Sequence, residues 1–578
     1  MCGPAIGWCL NWNSAIAFSV RPIPIPRKGS FPLRHCGEWP RPIQASIHDS
    51  CANHMTEAGA QDSFPRRFIY KFAANFVGVL ASFFQAGLVS RALGPHSYGD
   101  YNFLINFFNQ FVAFLEMRSA TLLYTSISRD RAKTAIAAVY FYVALAITVV
   151  TVSFPLTSFA FRVQNAIWPG QNTLIIILAS LLDLVLWYSD LFAKICDALG
   201  VTVSLERART VNRIVLLAAI AVAMRWSVLN IYSYLALLLI ANLLLIAVLS
   251  LALRRTKAFH SQSLLPQKIE MRSISGQLFA YSHPMFIYTL MALAGDYADR
   301  WMLQRFKGSV EQGLFSLALN IGLAFNVLIN ALHPLVMREF SLAFEQKNME
   351  RARNIFTKLI TTSYTVSAFF LCYAGVNADG CVRIVGGNSF KDAAGVFAIM
   401  AFLPIIHNYS MLSGSVLYAA HKTTLLRNIG LVTTPLSIAT TFFLVGPTQY
   451  GGLNLGATGV ALKLVALEFI GNNIILYFNC RMLDLDFWKQ LFHQIFVVVL
   501  LTGAALLCRD GAFFMLGGMA SNWLLVMVLG GLLYVAASVL MFYFTPWLVG
   551  IDRRQAVMFL KAALSKSPSP LTPNPPIP

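Results

Sequence analysis

Long apolar runs separated by short polar segments dominate the chain between residues 66 and 550. A helix needs about 20 mostly apolar residues to cross a bilayer. Fourteen segments come close to that length or exceed it, at 68–90, 101–117, 134–160, 172–193, 210–224, 228–252, 274–295, 312–335, 356–377, 393–418, 427–447, 456–479, 490–508 and 522–545. Continuous runs favour helices over the alternating segments of a membrane β-barrel. The pattern predicts an all-α integral membrane protein with about fourteen transmembrane helices.

Composition agrees with this picture. Of the 578 residues 57% are apolar and only 12% are charged, whereas globular domains carry about 25% charged residues. A soluble enzyme, a disordered chain and a disulfide scaffold are therefore excluded. The nine cysteines include no C-x-x-C pair, so the sequence predicts neither a zinc site nor a redox motif.

The net charge of +19 would indicate nucleic acid as a partner in a soluble protein. Here most of the 44 Lys and Arg residues fall in alternate loops, on the side that also holds the N-terminus. Such a bias marks the cytoplasmic face of a membrane protein. We expect a multi-pass protein of the cytoplasmic (inner) membrane with both termini cytoplasmic, and no nucleic acid partner.

Both tails lack a core pattern. Residues 1–65 form an N-terminal tail, and because Met55 resembles a natural start, residues 1–54 are expected to be either a mis-started extension or disordered. Residues 551–578 form a cytoplasmic tail. Its ending SKSPSPLTPNPPIP is Pro-rich and is expected to be disordered.

An internal repeat connects two of the polar segments. At a constant offset of 214 residues, five positions pair as Arg91 with Arg305, Gly94 with Gly308, Gly99 with Gly313, Tyr101 with Phe315, and Asn106 with Asn320. Glycine permits a tight reversal between helices. We predict a parallel repeat, with residues 66–255 and 256–480 as two six-helix lobes and residues 481–550 as two accessory C-terminal helices.

The first copy, RALGPHSYGDY, resembles the characteristic sequence of polysaccharide flippases in the MATE-like exporter (MOP) superfamily. The segments at 299–316, 333–360 and 384–394 are similar to further parts of that family, and the resemblance covers roughly residues 66–545. In the second copy Lys307 stands where the first has Leu93, a departure that weakens the motif match.

The resemblance implies transport of a lipid-linked (polyprenyl-diphosphate) oligosaccharide out of the cytoplasm, by alternating access between the lobes. It implies a role in O-antigen, exopolysaccharide or capsule synthesis, as in lipopolysaccharide production. Membrane lipids, H⁺ or Na⁺ as coupling ion, and polysaccharide polymerase or export machinery are the other partners it implies.

Polar residues inside the predicted helices follow helical faces. The stripes are Lys71, Asn75, Gly78, Ser82 and Gln85; Asn102, Asn106, Asn109 and Glu116; and Asn326, Asn330 and His333. Their spacings of three, four and, from Asn109 to Glu116, seven place each set on one face. Intramembrane polar groups normally face a cavity or a neighbouring helix. We favour a hydrated substrate path, with helix–helix hydrogen bonding as the alternative.

A diphosphate requires cations, and guanidinium binds it with forked hydrogen bonds. Arg300 is the preferred substrate-binding cation, and Arg118 and Lys463 are further candidates. The hinge arginines Arg91 and Arg305 are better suited to a structural role. The i,i+4 pair of Asp296 with Arg300 leaves a structural ion pair as the alternative for Arg300.

Three acids are candidates for carrying a coupling ion. Glu116 ends the second stripe and is the first choice, and Asp183 and Asp190 share one helix face. A buried carboxylate can exchange a proton near neutrality. His333 and His407 are expected to be hydrogen-bonded packing residues, with a proton relay as the alternative. The spacing of Lys463 and Glu468 predicts a separate partner for each.

No catalytic set is present: the sequence has no Walker A motif, nucleophile elbow or HExxH. We expect neither enzymatic activity nor a cofactor. The alternative function is a MATE-like, cation-coupled exporter of small amphipathic molecules, which an anionic cavity with one deep carboxylate would favour. A polymerase or ligase would need a longer outer loop than 378–392.

Overall fold

A computed structural model of the protein describes residues 64–117, 119–129, 134–255 and 268–550. The predictions for the N-terminal tail, for Arg118 and for the C-terminal tail lie outside these residues.

The first half of the described chain consists of α-helices joined by short connections. In order they are α1 Phe64–Glu116, α2 Ser119–Arg129, α3 Thr134–Ala160, α4 Gln164–Ile167, α5 Thr173–Ala198, α6 Thr202–Arg225 and α7 Ile231–Arg255. The Asn172 side chain accepts a hydrogen bond from the Leu174 amide and caps α5, satisfying a backbone donor that the helix leaves free.

The second half begins with another long helix. Its elements are α8 Lys268–Leu323, a 3₁₀ turn Ala324–Asn326, α9 Val327–Glu345, α10 Met349–Ile355, a π-turn Phe356–Ile360, α11 Thr361–Val376, α12 Ala378–Gly386, a 3₁₀ turn Asn388–Phe390, α13 Ala393–Met400, α14 Phe402–Ala419, α15 Thr423–Val445, a 3₁₀ turn Thr448–Tyr450, α16 Gly456–Leu483, α17 Phe487–Leu516, a 3₁₀ turn Gly517–Ser521, α18 Trp523–Phe544 and a 3₁₀ turn Pro546–Val549.

The all-α membrane fold predicted from the sequence is confirmed, and each of the fourteen predicted segments falls on helix. Within the described residues, ten helices are long and apolar enough to cross a membrane. The predicted first and second segments share α1, which counts once. The predicted eighth segment is interrupted by the turn Ala324–Asn326, so it is two helices rather than one.

Each long helix, α1 and α8, is two helices that reverse direction at a single glycine. Gly94 has φ 68° and ψ 174°, and Gly308 has φ 83° and ψ −175°. This region of backbone conformation is accessible essentially to glycine alone. Pro95 follows Gly94 and begins the second helix of α1, where its missing N–H costs nothing. We call the end of the bundle that holds Gly94 and Gly308 the hinge end.

Apolar packing divides the bundle by depth. One core joins residues of both halves of the chain near the hinge end, among them Phe108, Trp168, Leu317 and Phe397. At the opposite end the first half packs around Tyr140 in a core of its own. The second half packs around another core together with α17 and α18. The two halves therefore share a core at the hinge end, and each half has a further core of its own among the described residues.

Candidate functional site

The two glycine reversals pack directly on each other at the hinge end. A Cβ atom added to Gly99 would lie 1.8 Å from the Ser309 carbonyl oxygen, and one added to Gly313 would lie 2.0 Å from the Pro95 carbonyl oxygen. Pro95 and Ser309 are equivalent positions of the repeat, as are Gly99 and Gly313. The contact is therefore reciprocal, and both glycines are required because no side-chain atom fits there. We call this arrangement the hinge contact.

A carboxylate reinforces the hinge contact. Asp100 is buried and accepts hydrogen bonds from the Ser309 hydroxyl and, at 2.6 Å, from the Gln171 amide. His96 Nδ1 lies 3.2 Å from the second carboxylate oxygen of Asp100. Gln304 donates to Ser309 Oγ at 2.9 Å. These bonds link the first and second halves of the chain through one negatively charged group.

Each hinge also binds the loop region of the other half. The Arg91 guanidinium donates to the carbonyl oxygens of Val385 at 3.2 Å and Ile384 at 2.6 Å. In return, Trp301 Nε1 donates to the Ala166 carbonyl at 2.8 Å, and Gln304 Nε2 to the Pro169 carbonyl at 3.2 Å. These bonds agree with the structural role expected for Arg91, which stays a prediction. Its repeat partner Arg305 is exposed.

Buried charges gather in the second half, on α8 and α16. Lys463 is 2% exposed and forms an ion pair with Asp299. Thr441 donates to the other Asp299 oxygen at 2.5 Å. Lys463 and Asp299 lie 164 positions apart, and this pairing agrees with the expectation that Lys463 has a partner away from Glu468.

Arg300 lies beside this pair and is itself buried. Its guanidinium donates to the Ser316 hydroxyl at 3.3 Å and lies 5.3 Å from the centre of the Phe315 ring. Asp296, one helical turn earlier, accepts a hydrogen bond at 2.8 Å from Gln110 on α1. We name Asp296, Asp299, Arg300 and Lys463 the charged cluster. Its formal charges sum to zero, and Gln110 connects it to the first half of the chain.

The predicted polar stripes have mixed surroundings. Gln85 donates to the Tyr234 hydroxyl at 2.9 Å, and Asn102 donates to the Tyr98 carbonyl of its own helix at 2.7 Å. Asn106 and Asn326 are buried, and Asn75 is exposed. The side chains of Lys71 and Asn330 lie outside the described part of the structure. Cavity lining thus stays a prediction for the stripes, with helix–helix bonding observed for Gln85.

The three predicted coupling acids differ in their partners. Glu116 lies 3.7 Å from Lys194 and accepts a hydrogen bond from Trp187 at 3.2 Å. Asp190 pairs with Lys194 at 3.0 Å and with Arg209 at 3.5 Å. These two acids therefore belong to one ion-pair network, a link the sequence did not reveal.

Asp183 stands apart from that network. It is 1% exposed, and neither of its oxygens has a hydrogen-bond partner among the described residues. Asn109 lies beside it. A buried carboxylate with an amide but no cation beside it is stabilised by protonation or by a bound cation, which keeps Asp183 a candidate for carrying an ion.

Sequence reasoning missed most of the contacts between the halves. Asp100, Ser309 and Gln171 were not singled out, although Asp100 follows Gly99 and Ser309 follows Gly308. Polar residues adjoining repeated glycines are the signal that would have found them. No group of three His, Cys, Asp or Glu side chains within the described ranges is arranged to hold a metal ion.

Comparison with known structures places this geometry in a class. The lipid II flippase MurJ in an inward closed conformation is similar over 82% of this chain and 98% of its own, with a TM-score of 0.60 and 12% sequence identity. An inward-facing multidrug resistance MATE family transporter of the MOP superfamily is similar over 70% of this chain and 94% of its own, with a TM-score of 0.53 and 14% identity. The protein therefore has the all-α membrane fold that these MOP superfamily transporters share.

The sequence is similar to one family of proteins. Residues 65–337 match the model of the polysaccharide biosynthesis protein family, a stretch that contains both glycine hinges and the charged residues of α8. The resemblance found in the hinge sequence is confirmed by this match. A comparison with curated proteins gave no match.

Proposed function

We propose that the protein is a flippase that moves a polyprenyl-diphosphate-linked oligosaccharide from the cytoplasmic to the outer leaflet of the cytoplasmic membrane. The cargo is a repeat unit for polysaccharide or lipopolysaccharide synthesis, such as O-antigen or exopolysaccharide. The observation that carries the proposal is the family match of residues 65–337, since that family is defined by polysaccharide biosynthesis.

The arrangement of the cores supports alternating access as the mechanism. The hinge contact and the shared core close one end of the bundle, whereas each half has a core of its own, among the described residues, toward the other end. If the hinge contact broke and the two halves came together at the end opposite the hinge, the interior of the bundle would open at the hinge end. The basic loops support the proposal that the opposite end and both termini face the cytoplasm. In this orientation the structure is closed toward the outside.

The chemistry of the charged cluster suits an anionic cargo. Arg300 is held by Ser316 and the Phe315 ring, and a guanidinium in that setting can exchange a hydroxyl partner for a diphosphate oxygen. The amides of Gln110 and Asn106 lie on the facing half and match sugar hydroxyls. Lys463 would bind the diphosphate only if its ion pair with Asp299 broke. Polymerase or export machinery at the outer face would receive the cargo.

A second candidate is the cation-coupled exporter of small amphipathic molecules. Asp183 favours it, because a deep carboxylate without a positive partner attracts a cationic compound. The two functions differ in the charge of the cargo, so the transported molecule distinguishes them.

Deletion of the gene tests the proposal. Lipid-linked repeat units should accumulate in the inner leaflet and surface polysaccharide should be lost, while sensitivity to cationic dyes stays unchanged. Normal surface polysaccharide without accumulated intermediates would refute the flippase. Raised dye sensitivity in the same strain would establish the exporter instead.

A further inference from the structure

A pair of titratable side chains lies inside the second half of the bundle, outside the charged cluster. His407 on α14 and Glu468 on α16 come within 3.2 Å, measured from Nδ1 to Oε1. They are 61 positions apart in sequence. The carboxylate partner fits the predicted hydrogen-bonded residue and also its alternative, a proton relay.

The side chains of the pair are partly exposed. The two side chains are 20% and 18% exposed, whereas Asn408 and Tyr409, which follow His407, are buried. Glu468 shares a face of α16 with the buried residues Ala461 and Asn472. Both groups therefore lie beside buried positions of their helices and stay partly exposed.

A second histidine adjoins the pair. His333 on α9 is 6% exposed and lies close enough to His407 for their positive forms to repel each other. Helices α14 and α16 thus bring one imidazole and one carboxylate together, and the neighbouring α9 carries a second imidazole. A charge on His407 is stabilised by Glu468 and opposed by a charge on His333.

Other elements packed against α14 also carry titratable or charged groups, namely Asp296, Asp299 and Arg300 on α8, Arg338 and Glu339 on α9, Lys358 on the π-turn, Tyr364 on α11, Arg427 on α15 and Lys463 on α16. Most of these have partners of their own. Asp299 holds Lys463, Glu339 holds Arg351, and Tyr364 donates to the Gln494 carbonyl. Within the described structure, the His407 imidazole is the basic group that lies beside Glu468.

We propose that His407 and Glu468 form a proton-binding site in the second lobe and that this site couples proton movement to transport. With the proton on the imidazole the pair has zero net charge. When the proton leaves the ring nitrogen for water, Glu468 alone carries one negative charge. An unpaired charge is costly inside the membrane. The closed interior holds the protonated pair, and release takes place when the site opens to water.

The chemistry favours a proton over a sodium ion. Imidazole titrates in the physiological range and transfers protons through either ring nitrogen. Hard cations instead prefer sets of oxygen ligands, and here one of the two groups is a nitrogen base. The inference rests on the proposed function for what the proton drives, but the site itself can be tested without cargo.

Proton flux through the purified full-length protein tests the site. The protein is reconstituted in phosphatidylethanolamine–phosphatidylglycerol vesicles that enclose a pH-sensitive dye, with and without undecaprenyl diphosphate carrying a fluorescent disaccharide. His407→Asn and Glu468→Gln should each lower the proton flux by about tenfold or more, and Glu468→Asp should restore part of it.

Two variants serve as matched controls. His421→Asn changes an exposed histidine whose φ of 57° asparagine tolerates, and Glu345→Gln changes an exposed glutamate at the end of α9. Both should keep wild-type flux. Equal flux in all variants, absence of proton flux in the wild type, or flux driven by sodium alone would overturn the proton site. Proton flux that depends on His407 and Glu468 without translocation of the fluorescent lipid would leave the site intact and refute the flippase.

Discussion

Gly99 and Gly313 occupy equivalent positions in the repeat, and each contacts the backbone of the opposite hinge. Gly99 meets the Ser309 carbonyl, and Gly313 meets the Pro95 carbonyl. The symmetry of this contact explains why glycine recurs at a spacing of five residues after Gly94 and after Gly308. The hinge glycines provide the reversal, and the later glycines provide the close approach between the two lobes.

Replacing Gly99 or Gly313 by Ala should open the hinge contact. The added methyl group overlaps a carbonyl oxygen of the backbone, and relief of such overlap typically costs about 1–3 kcal/mol. Spin labels on Val163→Cys and Val310→Cys, both exposed positions near the hinge end, should report a longer distance in a background free of native cysteines. Gly503→Ala has open space around it and should leave the distance unchanged. An unchanged distance in the Gly99 variant would show that the contact does not hold the lobes together.

Removing the charge of Asp100 should weaken the same contact. In Asp100→Asn the Ser309 hydroxyl and the Gln171 amide lose a charged acceptor, which costs about 1–3 kcal/mol. The thermal unfolding midpoint in detergent should fall and the spin-label distance should broaden. Asp510→Asn alters an exposed aspartate and should change neither quantity. A variant at Asp100 as stable and as closed as the wild type would contradict this role.

Variants of Lys463 and Asp299 test whether Lys463 has a structural or a substrate-binding role. Lys463→Met leaves Asp299 buried without its cation and should destabilise the protein by about 3–5 kcal/mol. Adding Asp299→Asn should recover much of that loss, giving a large interaction energy in a double-mutant cycle. Recovery of transport together with stability would make Lys463 structural. Recovered stability without transport would support the prediction that Lys463 meets the cargo.

Substitution of Arg300 by Lys tests whether binding of the cargo needs the guanidinium geometry or only the positive charge. In Arg300→Lys the charge stays, but the forked donors and the contact with the Phe315 ring are lost, so binding of undecaprenyl diphosphate disaccharide should weaken about tenfold. The affinity is measured by fluorescence titration in detergent. Arg427→Lys is the control. Arg427 is an exposed residue of α15 that donates a hydrogen bond to its neighbour Asn428, and the variant should bind the lipid normally. Equal affinity in both variants would remove Arg300 from the substrate path.

The sequence predicted the helical class, the positions of the helices and the two equivalent hinges, because apolar length and the Arg-x-x-Gly spacing are local properties. It did not predict that each reversal needs only one residue, since Gly94 and Gly308 depend on backbone conformation rather than on composition. Partners distant in sequence were also hidden. The contacts of Asp299 with Lys463, of Glu468 with His407 and of Glu116 with Lys194 form only when the helices pack.

The most direct measurement is translocation of the lipid itself. The purified protein is reconstituted in vesicles with undecaprenyl diphosphate carrying a fluorescent disaccharide, and a membrane-impermeant reductant quenches the label in the outer leaflet. The flippase predicts that the protected inner pool becomes accessible at a rate that rises with protein content and falls in Arg300→Lys. A protected pool that stays constant with active protein present, while a cationic dye is transported, would contradict the account.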